Sequence, residues 1–193
     1  MMRIITGKAR GVRLMTLSGE NTRPTSERAK EAVFSMLQFD IQGKTVLDLF
    51  SGSGQMGLEA LSRGASHAVL CDRAREAVEV IRANAVKTRL LGACEILCMD
   101  YRVALRNLHG KHRFDVVFLD PPYALGAMPE VLRSLTDLHL LSPNAVVVCE
   151  TADEGDVFGK DQDLRQGFEV MRGVRYGAAF VTLLRWTGEG DEA

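Results

Sequence analysis

Long apolar runs are missing from this sequence of 193 residues. None approaches the roughly 18 residues that a membrane-spanning helix needs. The opening Met1-Met2-Arg3-Ile4-Ile5-Thr6-Gly7 has too short an apolar stretch for a signal peptide, so the expected location is cytoplasmic. An excess of one charge is missing too. Lys and Arg number 24 and Asp and Glu 25, a formal net charge of −1, so any surface for a polyanion must come from local clustering. Proline is scarce, at 5 residues, and 46% of the chain is hydrophobic, which excludes a disordered polymer and allows a sizeable core. Cysteine is scarce as well. Cys71, Cys94, Cys98 and Cys149 contain no C-x-x-C pair and no neighbouring histidine to complete a zinc set. The spacing of Cys94 and Cys98 places both on one face of a strand, pointing to the core. No metal is expected, and the thiols are expected reduced and buried.

What is present alternates short apolar runs with amphipathic ones. The length suits one domain with a small appendage. Residues 3–17 read as a β-ribbon, Arg3–Ile5 and Val12–Leu14 joined by the basic link Gly7-Lys8-Ala9-Arg10-Gly11. Arg23-Pro24-Thr25-Ser26 reads as a loop entering a helix over about 27–39, with Ala29, Ala32, Val33, Met36 and Leu37 on one face. Strands are expected at 46–50, 67–71, 95–99, 114–119 and 145–149, separated by helices at 57–63, 73–88, 101–108 and 129–138. That alternation means βαβ crossovers and a mostly parallel sheet. The runs 168–175 and 179–186 are joined too tightly for a crossover and must form an antiparallel hairpin. The expected fold is therefore α/β, a Rossmann-like seven-stranded sheet ending in an antiparallel hairpin. It divides into an N-terminal ribbon and helix over 1–40, a catalytic domain over 41–187 and a flexible tail over 188–193. A parallel sheet finished by such a hairpin is the architecture of methyltransferases that use S-adenosylmethionine (SAM).

Gly52-Ser53-Gly54-Gln55-Met56-Gly57 fits G-x-G-x-x-G between a strand and a helix, where glycines let a ligand and the helix approach the backbone. Asp72 closes the second strand, where a carboxylate can accept from both ribose hydroxyls. These features are shared by nicotinamide, flavin and SAM sites. Asp48 tilts the choice to SAM, because a carboxylate beside the glycine turn repels a pyrophosphate and attracts the cationic amino group of SAM. Asp100 can accept from an adenine amino group or cap the next helix.

Asp120-Pro121-Pro122-Tyr123 follows the fourth strand, on the edge where open α/β sheets bind ligands. An exocyclic base amine is a weak nucleophile because its lone pair is delocalised. Acceptors directed at its N–H bonds favour the tetrahedral, developing cationic form. Asp120 supplies a carboxylate and Pro121 a carbonyl, while consecutive prolines offer no competing N–H donor. Tyr123 supplies a ring face for base stacking. Residues 1–30 carry Arg3, Lys8, Arg10, Arg13, Arg23, Arg28 and Lys30 against Glu20 and Glu27, a local excess suited to phosphate. The acidic stretch 153–163 should face away from nucleic acid.

Taken together these residues resemble the RsmD family of bacterial 16S ribosomal RNA guanine-N2 methyltransferases. The resemblance spans nearly the whole chain. It rests on Arg3-Ile4-Ile5-Thr6-Gly7 with Gly11-Val12-Arg13-Leu14, Arg23-Pro24-Thr25 with Arg28, Asp48-Leu49-Phe50-Ser51-Gly52-Ser53-Gly54, Gly57-Leu58-Glu59-Ala60-Leu61-Ser62-Arg63-Gly64-Ala65 and Asp120-Pro121-Pro122-Tyr123. Asp72 departs from it, since glutamate is the more usual residue there. The resemblance implies SAM as cofactor, held by Asp48, Phe50, Gly52, Ser53, Gly54, Gly57, Asp72, Asp100 and Tyr101. It implies Asp120, Pro121 and Tyr123 as catalytic residues. Lys8, Arg10, Arg13, Arg23, Thr25, Arg28, Pro122 and Tyr123 would meet the substrate, guanine 966 of 16S rRNA in a small-subunit assembly intermediate. A monomer is expected. The alternatives are an adenine-N6 or protein-glutamine methyltransferase, a nicotinamide-dependent oxidoreductase and a non-catalytic RNA-binding module.

Overall fold

The structure is a computed structural model and describes residues 2–17, 24–37, 40–153 and 157–188. Its elements run α1 (Pro24–Met36), β1 (Thr45–Asp48), α2 (Gln55–Ser62), β2 (His67–Asp72), α3 (Arg75–Lys87), β3 (Cys94–Cys98), α4 (Tyr101–Leu108), β4 (Phe114–Leu119), α5 (Met128–Asp137), β5 (Leu141–Thr151), α6 (Gln162–Gln166), β6 (Phe168–Tyr176) and β7 (Ala179–Trp186). The strands form one sheet in the order β3-β2-β1-β4-β5-β7-β6. β1 to β5 pair in parallel, while β7 is antiparallel to both β5 and β6. The mixed sheet and terminal hairpin are those expected from the alternation of apolar runs.

The central parallel strands β1, β2 and β4 are buried on both faces, as their near-continuous Val, Leu and Phe content requires. One core layer holds Leu105, Phe114, Val131, Leu132 and Leu135 under α4, α5 and α6. The other holds Phe34, Leu58, Leu61, Leu70 and Ile81 under α1, α2 and α3. The N-terminal segment belongs to this second layer, because Met2, Ile4, Ala9 and Leu14 pack into it.

The expected ribbon is narrower than its sequence suggests. A lone antiparallel bridge, Arg3 with Arg13, joins its arms, with Ile4 N–H donating to Val12 O and Leu14 N–H to Met2 O. Its shape comes from α2. The Glu59 carboxylate is fully buried and accepts Ile5 N–H at 2.7 Å and Thr6 N–H at 3.0 Å. Gly7, at φ 86°, lies so close to α2 that a β-carbon would meet the Ser62 carbonyl oxygen at 1.8 Å. Only glycine fits both the space and the dihedral. Two other expectations change. β5 begins at Leu141, not 145, and α6 fills part of the acidic stretch, where Asp161 accepts Leu164 N–H as N-cap and pairs with Arg133. Cys98 is exposed and Cys94 only partly covered, so the pair does not point jointly into the core. β3 is an edge strand, partly covered from Cys94 to Leu97 and exposed at Cys98.

Candidate active site

The sheet order reverses between β1 and β4. Crossovers from β1 lead outward to β2 and β3, and those from β4 lead to β5. The C-terminal ends of β1 and β4 therefore border a crevice, the place where such sheets bind ligands. A cavity of about 500 Å³ occupies it. Its walls come from the ends of successive strands: Phe50, Gly52 and Ser53 after β1, Asp72 at β2, Asp100 after β3 and Asp120 after β4.

The glycine turn is built for this position. Gly52 and Gly54 have φ of 52° and 79°, the left-handed region that glycine alone enters without strain. At Gly57 a β-carbon would stand 2.9 Å from Leu70 Cδ2, so glycine sets the approach of α2 to β2. Asp48 accepts Gly57 N–H at 2.9 Å and is 4% exposed. Burial pushes its carboxyl up to about 7, against the lowering effect of that hydrogen bond. Asp48, Gly54 and Gly57 shape the cavity from behind and are not among the residues that line it. As the turn stands, Asp48 Oδ2 anchors the backbone at Gly57.

Asp72 lines the cavity, with Oδ2 accepting Gly52 N–H at 3.0 Å and Oδ1 accepting Ala74 N–H at 2.8 Å. Each carboxylate oxygen retains acceptor capacity for a ligand hydroxyl. Asp100 fills the capping role, and its place in the wall leaves it within reach of a ligand. It accepts Arg102 N–H at 2.9 Å as the N-cap of α4, and it lines the cavity. Phe50 and Tyr101 stand together in the wall with ring centroids 5.3 Å apart. The Tyr101 hydroxyl donates to Glu130 at 3.1 Å, and Arg102 lies over its ring while binding the same glutamate.

A second cavity, about 330 Å³, opens on the other side of Asp120. Asp120 and Gln55 border both cavities. Tyr123, half-exposed, lines the second cavity together with Lys30, Glu150 and Tyr176, and its hydroxyl donates to Glu150 Oε1 at 3.1 Å. Burial pushes the Glu150 carboxyl above the usual carboxylate range, and burial beside Glu150 raises the Tyr123 hydroxyl. Pro122 lines the first cavity, while Pro121 is buried behind it.

The basic residues divide. Lys8, Arg10, Arg13 and Arg28 are exposed, as is Arg3. Lys30 is not on the approach surface. It is 3% exposed, donates to Arg3 O at 2.7 Å and faces Glu59 Oε2 at 3.7 Å, because an ammonium inside the fold needs a carboxylate partner. Arg23 and the Thr25 side chain lie outside the described residues, as do 154–156 in the acidic stretch and the tail from 189.

Several site residues escape the motif reading. Met2 and Leu17 border the first cavity although they lie far from the glycine turn in sequence. Asn84 holds that segment in place: it is fully buried, accepts Met15 N–H at 2.8 Å, and donates to Ser53 O at 2.9 Å. A polar residue inside the apolar stripe of α3 was the available signal. Glu150 carries a signal like that of Asp120, a carboxylate directly after an apolar run, here Val146–Cys149.

The sheet order, the glycine turn and the row of acidic strand ends define a Rossmann-like methyltransferase fold. The solved structure of yhhF from Escherichia coli, described as a methyltransferase, superposes with a TM-score of 0.81 at 28% identity, covering 97% of this chain and 99% of that one. SMU.776, described as a methyltransferase complexed with SAH, shares the fold at a TM-score of 0.65 and 17% identity, over 81% of this chain and 49% of the other. The family described as conserved hypothetical protein 95 matches residues 2–185. Ribosomal RNA small subunit methyltransferase D of Haemophilus influenzae is 33% identical over 151 residues, 78% of each chain. The chain belongs to this family, that of the small-subunit methyltransferase D proteins.

Proposed function

We propose that this protein transfers a methyl group from SAM to the exocyclic N2 of a guanine in small-subunit ribosomal RNA, the position implied being guanine 966. One observation carries the reading: Asp120 stands between two cavities and borders both. The first has the chemistry of a SAM site. It pairs the Asp72 acceptor with an aromatic and apolar wall from Phe50, Tyr101 and Met99, and with Asp100 at its edge. The cofactor, when bound, supplies an electrophilic sulfonium methyl. SAH in a relative of the same fold agrees with that assignment.

The second cavity suits the base. Asp120 and Glu150 both present acceptors there. The Watson–Crick edge of guanine carries donors at N1 and N2, whereas adenine carries an acceptor at N1. Two carboxylates therefore favour guanine over adenine. Asp120 accepts from the N2 amine, drawing its lone pair out of the ring and stabilising the charge that grows during displacement. The rigid prolines hold the loop with fixed dihedrals, and the Tyr123 ring offers a stacking face. Holding the amine in line supplies much of the rate gain. The exposed Lys8, Arg10, Arg13 and Arg28 would take phosphates of a small-subunit particle.

The test is radiolabelled methyl transfer from SAM to 16S rRNA and to 30S particles from a strain lacking the enzyme, with mapping of the modified base. Label on a guanine N2 is expected. Label on adenine, or on protein alone, overturns the proposal, as does binding of NADH without binding of SAM.

A further inference from the structure

On the sheet edge opposite the two cavities, the starts of three strands bring two histidines and a glutamate together. His67 opens β2, Glu95 is the second residue of β3, and His112 lies two residues before β4. His67 Nε2 is 3.8 Å and His112 Nε2 3.2 Å from the same atom, Glu95 Oε2. All three ligand atoms lie within 4.8 Å of one another. Core packing fixes the arrangement. The imidazoles are stacked with centroids 6.0 Å apart, and His112 stacks in turn on the buried Phe114 at 5.7 Å. His67 Nε2 is shielded from solvent and has no hydrogen-bond partner among the described residues. A shielded imidazole nitrogen with no partner needs a reason.

We propose that His67, Glu95 and His112 bind one divalent transition-metal ion, with zinc the best chemical match. Two imidazole nitrogens and one carboxylate oxygen form a mixed set that zinc accepts, leaving a fourth position for water. Calcium and magnesium prefer all-oxygen sites. Ligands bound tetrahedrally at about 2.0–2.1 Å stand about 3.4 Å apart. The two separations from Glu95 already bracket that spacing, and the two histidine nitrogens lie within 4.8 Å of each other. Glu95 is 39% exposed at its side chain, so an ion can reach the site. Cys94 is no fourth ligand, because successive side chains of a strand point to opposite faces and its Sγ donates to Leu90 O at 3.3 Å. The ion would clamp β2 and β3 to the segment that enters β4. The proposal runs against the expectation that the chain binds no metal, and it is independent of the methyl-transfer reading.

The full-length protein, stripped with chelator, is titrated with Zn²⁺ by calorimetry and with Co²⁺ by visible spectroscopy. One equivalent binding tighter than about 50 µM is expected. The cobalt complex should show d–d bands without the near-ultraviolet charge-transfer band of a thiolate, and Tm should rise. His112→Gln and Glu95→Gln should each weaken binding at least about tenfold while leaving SAM affinity unchanged. Should either variant misfold, zinc protection of His67 and His112 from diethyl pyrocarbonate in the unaltered protein, read by mass spectrometry, gives the same answer. Weaker binding, a thiolate band from Cys98, unaltered affinity in folded variants, or no protection overturns the proposal.

Discussion

The Tyr123 hydroxyl donates to the Glu150 carboxylate at 3.1 Å, joining the loop after β4 to the end of β5 across the second cavity. One ring thus has two jobs, with its edge fixed by Glu150 and its face left for a base. Tyr123→Ala removes both. Loss of stacking at about 1–3 kcal/mol predicts a fall in kcat/KM of roughly 5- to 150-fold. Tyr123→Phe keeps the face and loses only the tether, so its fall should be the smaller of the two. Steady-state methylation of 30S particles by the two variants checks the order; equal losses would show that the ring face contributes nothing.

Glu150→Gln tests base choice. The amide can still accept from Tyr123, but it presents an N–H₂ group toward the donor edge of a guanine. Methyl transfer to guanine should fall by more than about tenfold, a cost of about 1.4 kcal/mol for one mispaired polar contact. SAM affinity should stay constant, since Glu150 is not in the first cavity. Isothermal titration beside the methylation assay separates the two effects.

Asp120→Ala should lower methyl transfer by two or more orders of magnitude, the size expected when a preorganised transition-state acceptor is removed. SAM binding should change by less than about tenfold, because the other strand ends of the first cavity are intact. A single-turnover assay at saturating SAM isolates the chemical step. Retention of full activity would leave a non-catalytic RNA-binding role as the better account.

How legible this site was depends on how local its signals are. Asp48, Asp72, Asp100, Asp120 and Glu150 each stand at or just beside the end of an apolar strand, and the fold needs no more than that to gather them on one edge. A carboxylate ending an apolar run costs free energy unless it has partners, so its presence in the sequence already points to a function or a cap. Asp48 shows the limit of the argument. Position placed it beside the glycine turn, but only the structure reveals that Gly57 N–H takes its carboxylate. Contacts between distant parts of the chain were not legible. Lys30 reads as surface charge, and nothing nearby in sequence announces Glu59 as its partner. Asn84 and Met15 likewise meet across the fold without a local pattern.

Glu59 is the test of those distant contacts. Its carboxylate takes two backbone N–H groups of the N-terminal hairpin, Arg63 Nε at 2.8 Å and Lys30 at 3.7 Å, all on a fully buried side chain. Glu59→Gln removes the buried negative charge that Lys30 and Arg63 face and should lower stability by about 3–5 kcal/mol. Denaturant titration measures this. The hairpin that carries Lys8, Arg10 and Arg13 should loosen at the same time, so RNA affinity should fall more than SAM affinity.

Asp48 makes folding depend on pH in an unusual direction. Its folded carboxyl holds a proton up to about pH 7, whereas the unfolded group releases it near 3.8. Between those values the folded state binds more protons than the unfolded one. The contribution is fully present below the unfolded value and is lost as pH rises through the folded one, so the cofactor-free protein should lose stability from about pH 4 to 7. The effect is on the order of a few kcal/mol. Glu150, also raised by burial, adds to the slope, so the parent curve alone does not isolate Asp48. Asp48→Asn does: its amide oxygen can still accept Gly57 N–H, yet it takes up no proton. The difference in unfolding free energy between parent and variant, measured by denaturant at steps from pH 5 to 8, should shift toward the variant as pH rises. A constant difference would mean that Asp48 ionises normally in the folded protein.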